Sequence, residues 1–305
     1  MSSDLPAEDL EEIASRFSSL RHILMHDDKG ERPSDIRDML IDRLRDALDR
    51  RLPQFASGNP AFIAGSFLLE EMVHQRGRTE ISRLRHRDLG TFHALKTLIA
   101  DHANDDIARR LLLREARIGM SLLHPCLVQT QIALRLADGR PAIVMEWAGQ
   151  SLSQRLSSGS VSARDIIETM RRLLSGLQAI HEAGYIHCDI SPGNLLFAGD
   201  GFSGLKIADF GVALEQGQRH HDLDIRLAGS PSFMAPEQAD GTPADPRSDL
   251  YSAGCILNVL LERCEETGLH VKEIGALALD LTQTSPSRRP ASAKAALDLL
   301  DDISR

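Results

Sequence analysis

The chain has 305 residues, enough for one large domain or two modest ones. With 42% hydrophobic and 26% charged residues it is neither a disordered nor a fibrous protein. Against 44 Asp and Glu stand 35 Lys and Arg, a formal net charge of −9, so no chain-wide positive field exists to gather nucleic acid or an anionic membrane. The four cysteines, Cys126, Cys188, Cys255 and Cys264, form no C-x-x-C pair and read as free thiols of a cytoplasmic protein. The acidic N-terminus lacks the order of a signal peptide, and the apolar stretch from Ala253 to Leu261 is too short to span a bilayer.

Leu10, Ile13, Phe17, Leu20 and Leu24 recur at the spacing of one helix face, and the chain then breaks over residues 27–33. Ser34 reads as the cap of a second helix carrying Ile36, Met39, Leu40, Leu44 and Leu48, closed by Pro53 and the Ser-Gly-Asn-Pro of residues 57–60. Residues 1–62 are therefore expected to form a helical extension whose apolar stripes need cover, from this chain or from a partner. Extended segments follow over residues 67–73, 80–86 and 91–99, then a helix over 109–120, then strands over 127–136 and 142–147 around the turn at 138–141. A long helix is predicted over 163–183, with Ser162 as cap, Asp165 in the box position and Gly184 as stop. Strands first and helices afterwards indicate an α+β fold.

The stretch Tyr185-Ile-His-Cys-Asp-Ile-Ser-Pro-Gly-Asn194 precedes Asp209-Phe-Gly211, and Ala235-Pro-Glu237 follows. Three such motifs in this order resemble the protein kinase superfamily, of the serine/threonine type found in bacteria. The resemblance implies a bilobal fold over residues 63–305, an antiparallel-sheet N-lobe over 63–148 and a helical C-lobe over 149–305. It also implies a transferase that uses ATP and Mg²⁺. Phosphoryl transfer needs a group to orient the attacking hydroxyl and hard oxygens to hold the metal. Asp189 takes the first role by resemblance, and Asn194 and Asp209 the second. Phe92-His-Ala-Leu-Lys96 resembles the strand of the phosphate-contacting lysine, which Glu115 in the following helix would hold. Met145 stands at the gatekeeper position, and Glu146 and Ala148 would offer backbone groups to adenine. Ser230 occupies the place of a threonine that contacts the catalytic aspartate, which favours Ser and Thr acceptors. Asp249 and the pair Glu237 with Arg289 read as scaffold, and Trp147 as packing.

The pattern fails in places. Of the three glycines expected to fold over the phosphates only Gly77 is available, His74, Arg76 and Thr79 standing around it. Arg76 and Arg78 read as solvated. Cys188 replaces the arginine that receives an activation-segment phosphate, and Ser191 a lysine that steadies the transferred phosphate. His220 and His221 read as a solvated loop rather than a metal site. The expected protein is thus a cytoplasmic signalling kinase acting on Ser or Thr of proteins, with self-association or a partner engaged through the N-terminal helices and without nucleic-acid partners. Two alternatives stay open, a pseudokinase serving as nucleotide-binding scaffold and a kinase of small molecules.

Overall fold

The computed structural model describes residues 7–27, 30–33, 36–37, 40–41, 44, 62–157, 159–199, 201–223 and 229–303. It divides into two compact units, Met1–Asn59 and Pro60–Arg305. In the first, α1 (Ala7–Met25) covers the first expected stripe, and His26–Asp27 pairs with Gly30–Glu31 where the break was expected. Of the second stripe Ile36, Leu40 and Leu44 are helical, as are Arg37 and Ile41, whereas Met39 and Leu48, the Ser34 cap and residues 53 and 57–60 lie outside the described residues.

The larger unit begins with a six-stranded antiparallel sheet built from β1 (Phe62–Ile63), β2 (Phe67–Arg76), β3 (Thr79–His86), β4 (Phe92–Leu98), β5 (Thr130–Arg135) and β6 (Pro141–Glu146). Its order is β1-β2-β3-β4-β6-β5, every pair antiparallel. Because side chains alternate along a strand, β6 feeds two cores. Ala142 and Val144 join Phe67, Leu84 and Leu95 on one face. Ile143 and Met145 join Leu98 and α2 (Asp106–Ser121) on the other, through Ala108, Leu112 and Ala116. Helix α2 starts three residues earlier than the apolar spacing suggests, because the Asp105 side chain caps it by accepting the Ala108 N–H at 3.0 Å.

β5 is shorter than the apolar run 127–136. Cys126, Leu127 and Val128 are bound instead to Ile207, through Ile207 N–H to Cys126 O and Val128 N–H to Ile207 O, each 2.8 Å. That strip stitches the sheet to the helical lobe. β7 (Gln150–Ser151) then leads to α3 (Ala163–Glu182), whose Ser162 hydroxyl accepts the Asp165 N–H and donates to the Asp165 carboxylate at 2.6 Å. Gly184, at φ +85°, ends the segment as expected.

β8 (Tyr185–Ile186), β9 (Leu195–Phe197), β10 (Leu205–Ile207) and β11 (Leu214–Glu215) frame the loops between the lobes, β8 pairing with β11 and β9 lying between β7 and β10. Helices α4 (Pro246–Leu261), α5 (Leu269–Leu281) and α6 (Ala293–Ile303) pack with α3 around one large apolar core. The lobes are those of the expected α+β bilobal fold. Among the described residues no helix is long and apolar enough to cross a membrane.

Candidate active site

The β9–β10 hairpin brings the two halves of the site together. Leu195 pairs with Ile207, and Ala208 N–H donates to Asn194 O at 2.9 Å, so Asn194 and Asp209 leave the same end of the hairpin. Between β8 and β9 runs the loop that carries Asp189, and Asp249 on α4 braces it from below. The Asp249 carboxylate, with no exposed surface, accepts the N–H groups of His187 at 2.8 Å and Cys188 at 2.9 Å, and faces His181 Nε2 at 2.8 Å. These bonds hold Cys188 at φ +64°, a left-handed conformation that a side chain adopts only under outside constraint. The Cys188 thiol is buried, and burial pushes it up, away from the reactive thiolate.

Asn194 turns inward. Its Nδ2 donates to Asp189 O at 2.8 Å and to Asp189 Oδ2 at 2.9 Å. The second carboxylate oxygen, Asp189 Oδ1, is shielded from solvent and has no hydrogen-bond partner among the described residues. An orphaned acceptor of this kind is costly unless something fills it.

On the opposite wall Lys96 Nζ donates to Glu115 Oε1 at 2.7 Å and to Asp209 Oδ1 at 2.8 Å. Lys96 and Glu115 are both buried, whereas the Asp209 side chain stays 40% exposed at the cleft. Burial pushes Glu115 up to about 7, with Asp209 adding and Lys96 opposing. Burial acts upward on Asp209 too, but the Lys96 charge, its hydrogen bond and the Gly211 N–H outweigh it and hold the carboxyl at about 2. Lys96 lies well above its ordinary value, because the two carboxylates overcome burial. Asp209 sits at φ +69°.

Oxygen donors suited to Mg²⁺ are present. Asn194 has spent its amide nitrogen on Asp189, which leaves its carbonyl oxygen, and Asp209 keeps one carboxylate oxygen free of Lys96. Among the described residues no group of three His, Cys, Asp or Glu side chains could hold a metal. Met145, at the end of β6, is partly buried and packs against the cluster of Leu98, Leu112 and Ile143 between the sheet and α2. Glu146 N–H is taken by Gln129 O at 3.0 Å, and its carboxylate pairs with Lys206 at 2.7 Å. Ala148 is buried, and Trp147 packs under Arg83.

The turn expected to fold over the phosphates is a tight one between β2 and β3, with Arg76 paired to Thr79 and Gly77 at φ +57°. Its side chains are those the sequence showed, but Arg78 is not merely solvated: it reaches Asp105 at 3.4 Å. The reading of His220 is also corrected. It is half-buried in a short turn, bonded through Nε2 to Val212 O at 3.0 Å, and burial lowers its pKa. Ser230 forms no hydrogen bond to Asp189 among the described residues. Gly229 makes the approach instead, at φ +82°, where a Cβ would stand 2.8 Å from Cys188 O. Glu237 and Arg289 pair at 2.6 and 2.9 Å, and Arg289 also binds the carbonyls of Gln283, Thr284 and Arg247. One contributor received no role from sequence. His187 Nε2 faces Ala208 O at 3.1 Å and Nδ1 accepts the Asp189 N–H, tying the two loops together. Its place two residues before Asp189 was the available signal.

Residues 76–303 match the protein kinase domain family. Over 213 residues the chain is 33% identical to the probable serine/threonine-protein kinase PknB of Bifidobacterium longum, an alignment covering 66% of this chain and 31% of that protein. It is 34% identical over 209 residues to the probable serine/threonine-protein kinase SCO3848 of Streptomyces coelicolor, covering 66% and 31%. With the serine/threonine-protein kinase PknB of Mycobacterium tuberculosis it shares 31% over 213 residues, covering 66% and 33%. The chain spans about a third of the length of these curated relatives.

Proposed function

The chain belongs to the protein kinase domain family, and from that premise we propose that it transfers the γ-phosphoryl group of ATP, with Mg²⁺, to serine and threonine hydroxyls of a protein. The observation that carries this reading is Asp189, whose Oδ2 is fixed by Asn194 while Oδ1 stands buried and unpaired. A substrate hydroxyl donating to Oδ1 satisfies that oxygen and is thereby aimed, and Oδ1 receives its proton as the oxygen attacks.

Lys96, fixed by Glu115, directs its charge at the α- and β-phosphates, and Gly77 lets the loop backbone bend over them. Asn194 and Asp209 would hold Mg²⁺ through the oxygens left free, and the metal when bound neutralises charge on the phosphates. The backbone of Glu146 and Ala148 borders the adenine position beside Met145. The preference for Ser and Thr acceptors is supported by the segment from Gly229 to Glu237 and by the names of the relatives. The scattered free thiols support a reducing compartment such as the cytoplasm, where we place a signalling role for this kinase.

The deciding experiment separates binding from chemistry with Asp189→Asn. The variant is expected to lose turnover by about a hundredfold or more, while ATP–Mg²⁺ binding measured by calorimetry changes only a few-fold, the pattern of a lost transition-state interaction. Undiminished turnover in the variant would refute the assignment. A wild-type protein that binds nucleotide and turns nothing over would be a scaffold, in keeping with His74, Arg76 and Thr79 at the loop.

A further inference from the structure

In the helical lobe three large apolar side chains stay exposed among the described residues, Leu269 at 69%, Leu279 at 66% and Leu299 at 44%, and all three sit on α5 and α6. His270 Nδ1 at the start of α5 faces Ile303 O at the end of α6, 3.1 Å away, so the two helices run antiparallel. Between them lies an open groove of about 350 Å³. Ala276 and Leu277 line it from α5, and Leu299 and Ile303 from α6. No residue of the cleft described above takes part in it.

The charge in the groove has one sign. Glu273, Asp280 and Asp302 line it, and no Lys, Arg or His does. Nearby acids are already matched, Asp298 by Lys294 at 3.1 Å and Asp301 by Arg171 at 3.0 Å. Glu273 and Asp280 form no hydrogen bond or ion pair among the described residues. Two turns apart on α5, they share one side of the helix and stand about 10 Å apart along its axis. Leu269 and Ala276 fall on that side too, so the row reads Leu269, Glu273, Ala276, Asp280.

Exposed leucines beside unmatched carboxylates select their partner by chemistry. Aliphatic groups cover the leucines, and only cations placed next to those groups answer the two acids. An acidic or uncharged segment would bury the carboxylates without a counter-charge. The shape selects as well, because a groove between two antiparallel helices receives the ridges of a third, and a helix with anchors at every third or fourth residue is a recurring partner of such grooves.

We propose that the groove between α5 and α6 docks a basic amphipathic helix of a partner protein, its aliphatic anchors on Leu277, Leu299 and Ile303 and its Lys or Arg residues on Glu273 and Asp280. For a chain that phosphorylates proteins this adds a recognition surface made of other residues than the cleft. The proposal does not depend on turnover, and neither does its measurement.

The test is fluorescence anisotropy of a labelled peptide of about 18 residues, Leu and Lys patterned as an amphipathic helix, titrated with the full chain. The expected Kd lies between about 1 and about 100 µM, weakening as salt rises from about 0.05 to about 0.5 M. The same pattern with Glu for every Lys, and a Leu/Lys peptide of scrambled order, should bind at least about tenfold more weakly. Leu299→Asp, and separately Glu273→Lys with Asp280→Lys, should each raise Kd about tenfold or more. Asp101→Lys with Asp240→Lys makes the same change in net charge at exposed positions elsewhere and should leave Kd within about twofold. Denaturant midpoints establish that each variant keeps the fold, and where Leu299→Asp lowers the midpoint, Leu299→Gln takes its place with the same expectation. No binding at about 100 µM, an equal loss in the charge control, or a Leu299 variant that binds as wild type overturns the proposal. So does self-association of the full chain that the Leu299 variant removes while the peptide fails to bind, which gives the groove to a second copy.

Discussion

Lys96 serves two carboxylates that titrate far apart. Asp209, held at about 2, keeps its charge across any working pH, and its contribution to stability, present above its ordinary value, is lost only as pH falls toward 2. Glu115 behaves in the opposite sense. Its folded value of about 7 lies above the ordinary 4.5, so between these values the folded chain holds a proton that the unfolded chain releases. Stability from this group is therefore complete below about 4.5 and declines as pH rises to about 7. Turnover runs the other way, because only the charged Glu115 fixes Lys96 electrostatically, and kcat should fall as pH drops through about 7. Glu115→Gln is expected to lower kcat about tenfold, remove the limb near 7 and flatten the decline in denaturant midpoint between about pH 5 and about pH 7. An unchanged limb in the variant would assign it to another group. These three residues were legible in the sequence because each stands at a fixed place in an ordered motif set. His187 was not, since its place two residues before Asp189 does not say which loops its two ring nitrogens tie together.

At the level of elements, the alternation of β2 to β6 and the capped start of α3 could be read directly, because period and cap chemistry are local properties. What could not be read was set by tertiary contact. β5 starts late because Leu127 and Val128 are committed to Ile207, and α2 starts early because Asp105 both caps it and receives Arg78. The activation segment is the sharpest case. Sequence pointed to Ser230 as the residue addressing Asp189, whereas the close approach belongs to Gly229, whose missing Cβ lets the segment lie against Cys188 O. Gly229→Ala combines a left-handed backbone with a clash against backbone, each a strain of about 1 to 3 kcal/mol. The segment gives way more easily than the lobe under it, whose core is continuous through α3, α4, α5 and α6. The expected outcome is a kcat reduced tenfold or more with the global unfolding midpoint nearly retained. A variant that loses both together would show the segment to be part of the core's cooperative unit.

At the scale of the whole chain, the larger unit from Pro60 to Arg305 has its own apolar cores, and the unit from Met1 to Asn59 presents a different balance. On α1, Phe17 is 69% exposed, Leu20 37% and Ile23 62%, residues three apart along one side of the helix. A helix in water that leaves such a row uncovered gains little from its own burial, and rows of this kind mark association surfaces. A second copy is the partner always at hand, and two copies of one stripe can cover each other about a two-fold axis. The prediction is that the full chain self-associates with rising concentration in sedimentation or light scattering. Phe17→Glu combined with Ile23→Glu, or removal of residues 1–59, should return the mass to that of one chain. Because the substitutions lie outside the catalytic unit, kcat of the monomeric variant tells whether association also sets activity: an altered kcat at equal nucleotide affinity makes the extension regulatory. A full chain of single-copy mass at every concentration, unaffected by both glutamates, would remove self-association as the role of the stripe.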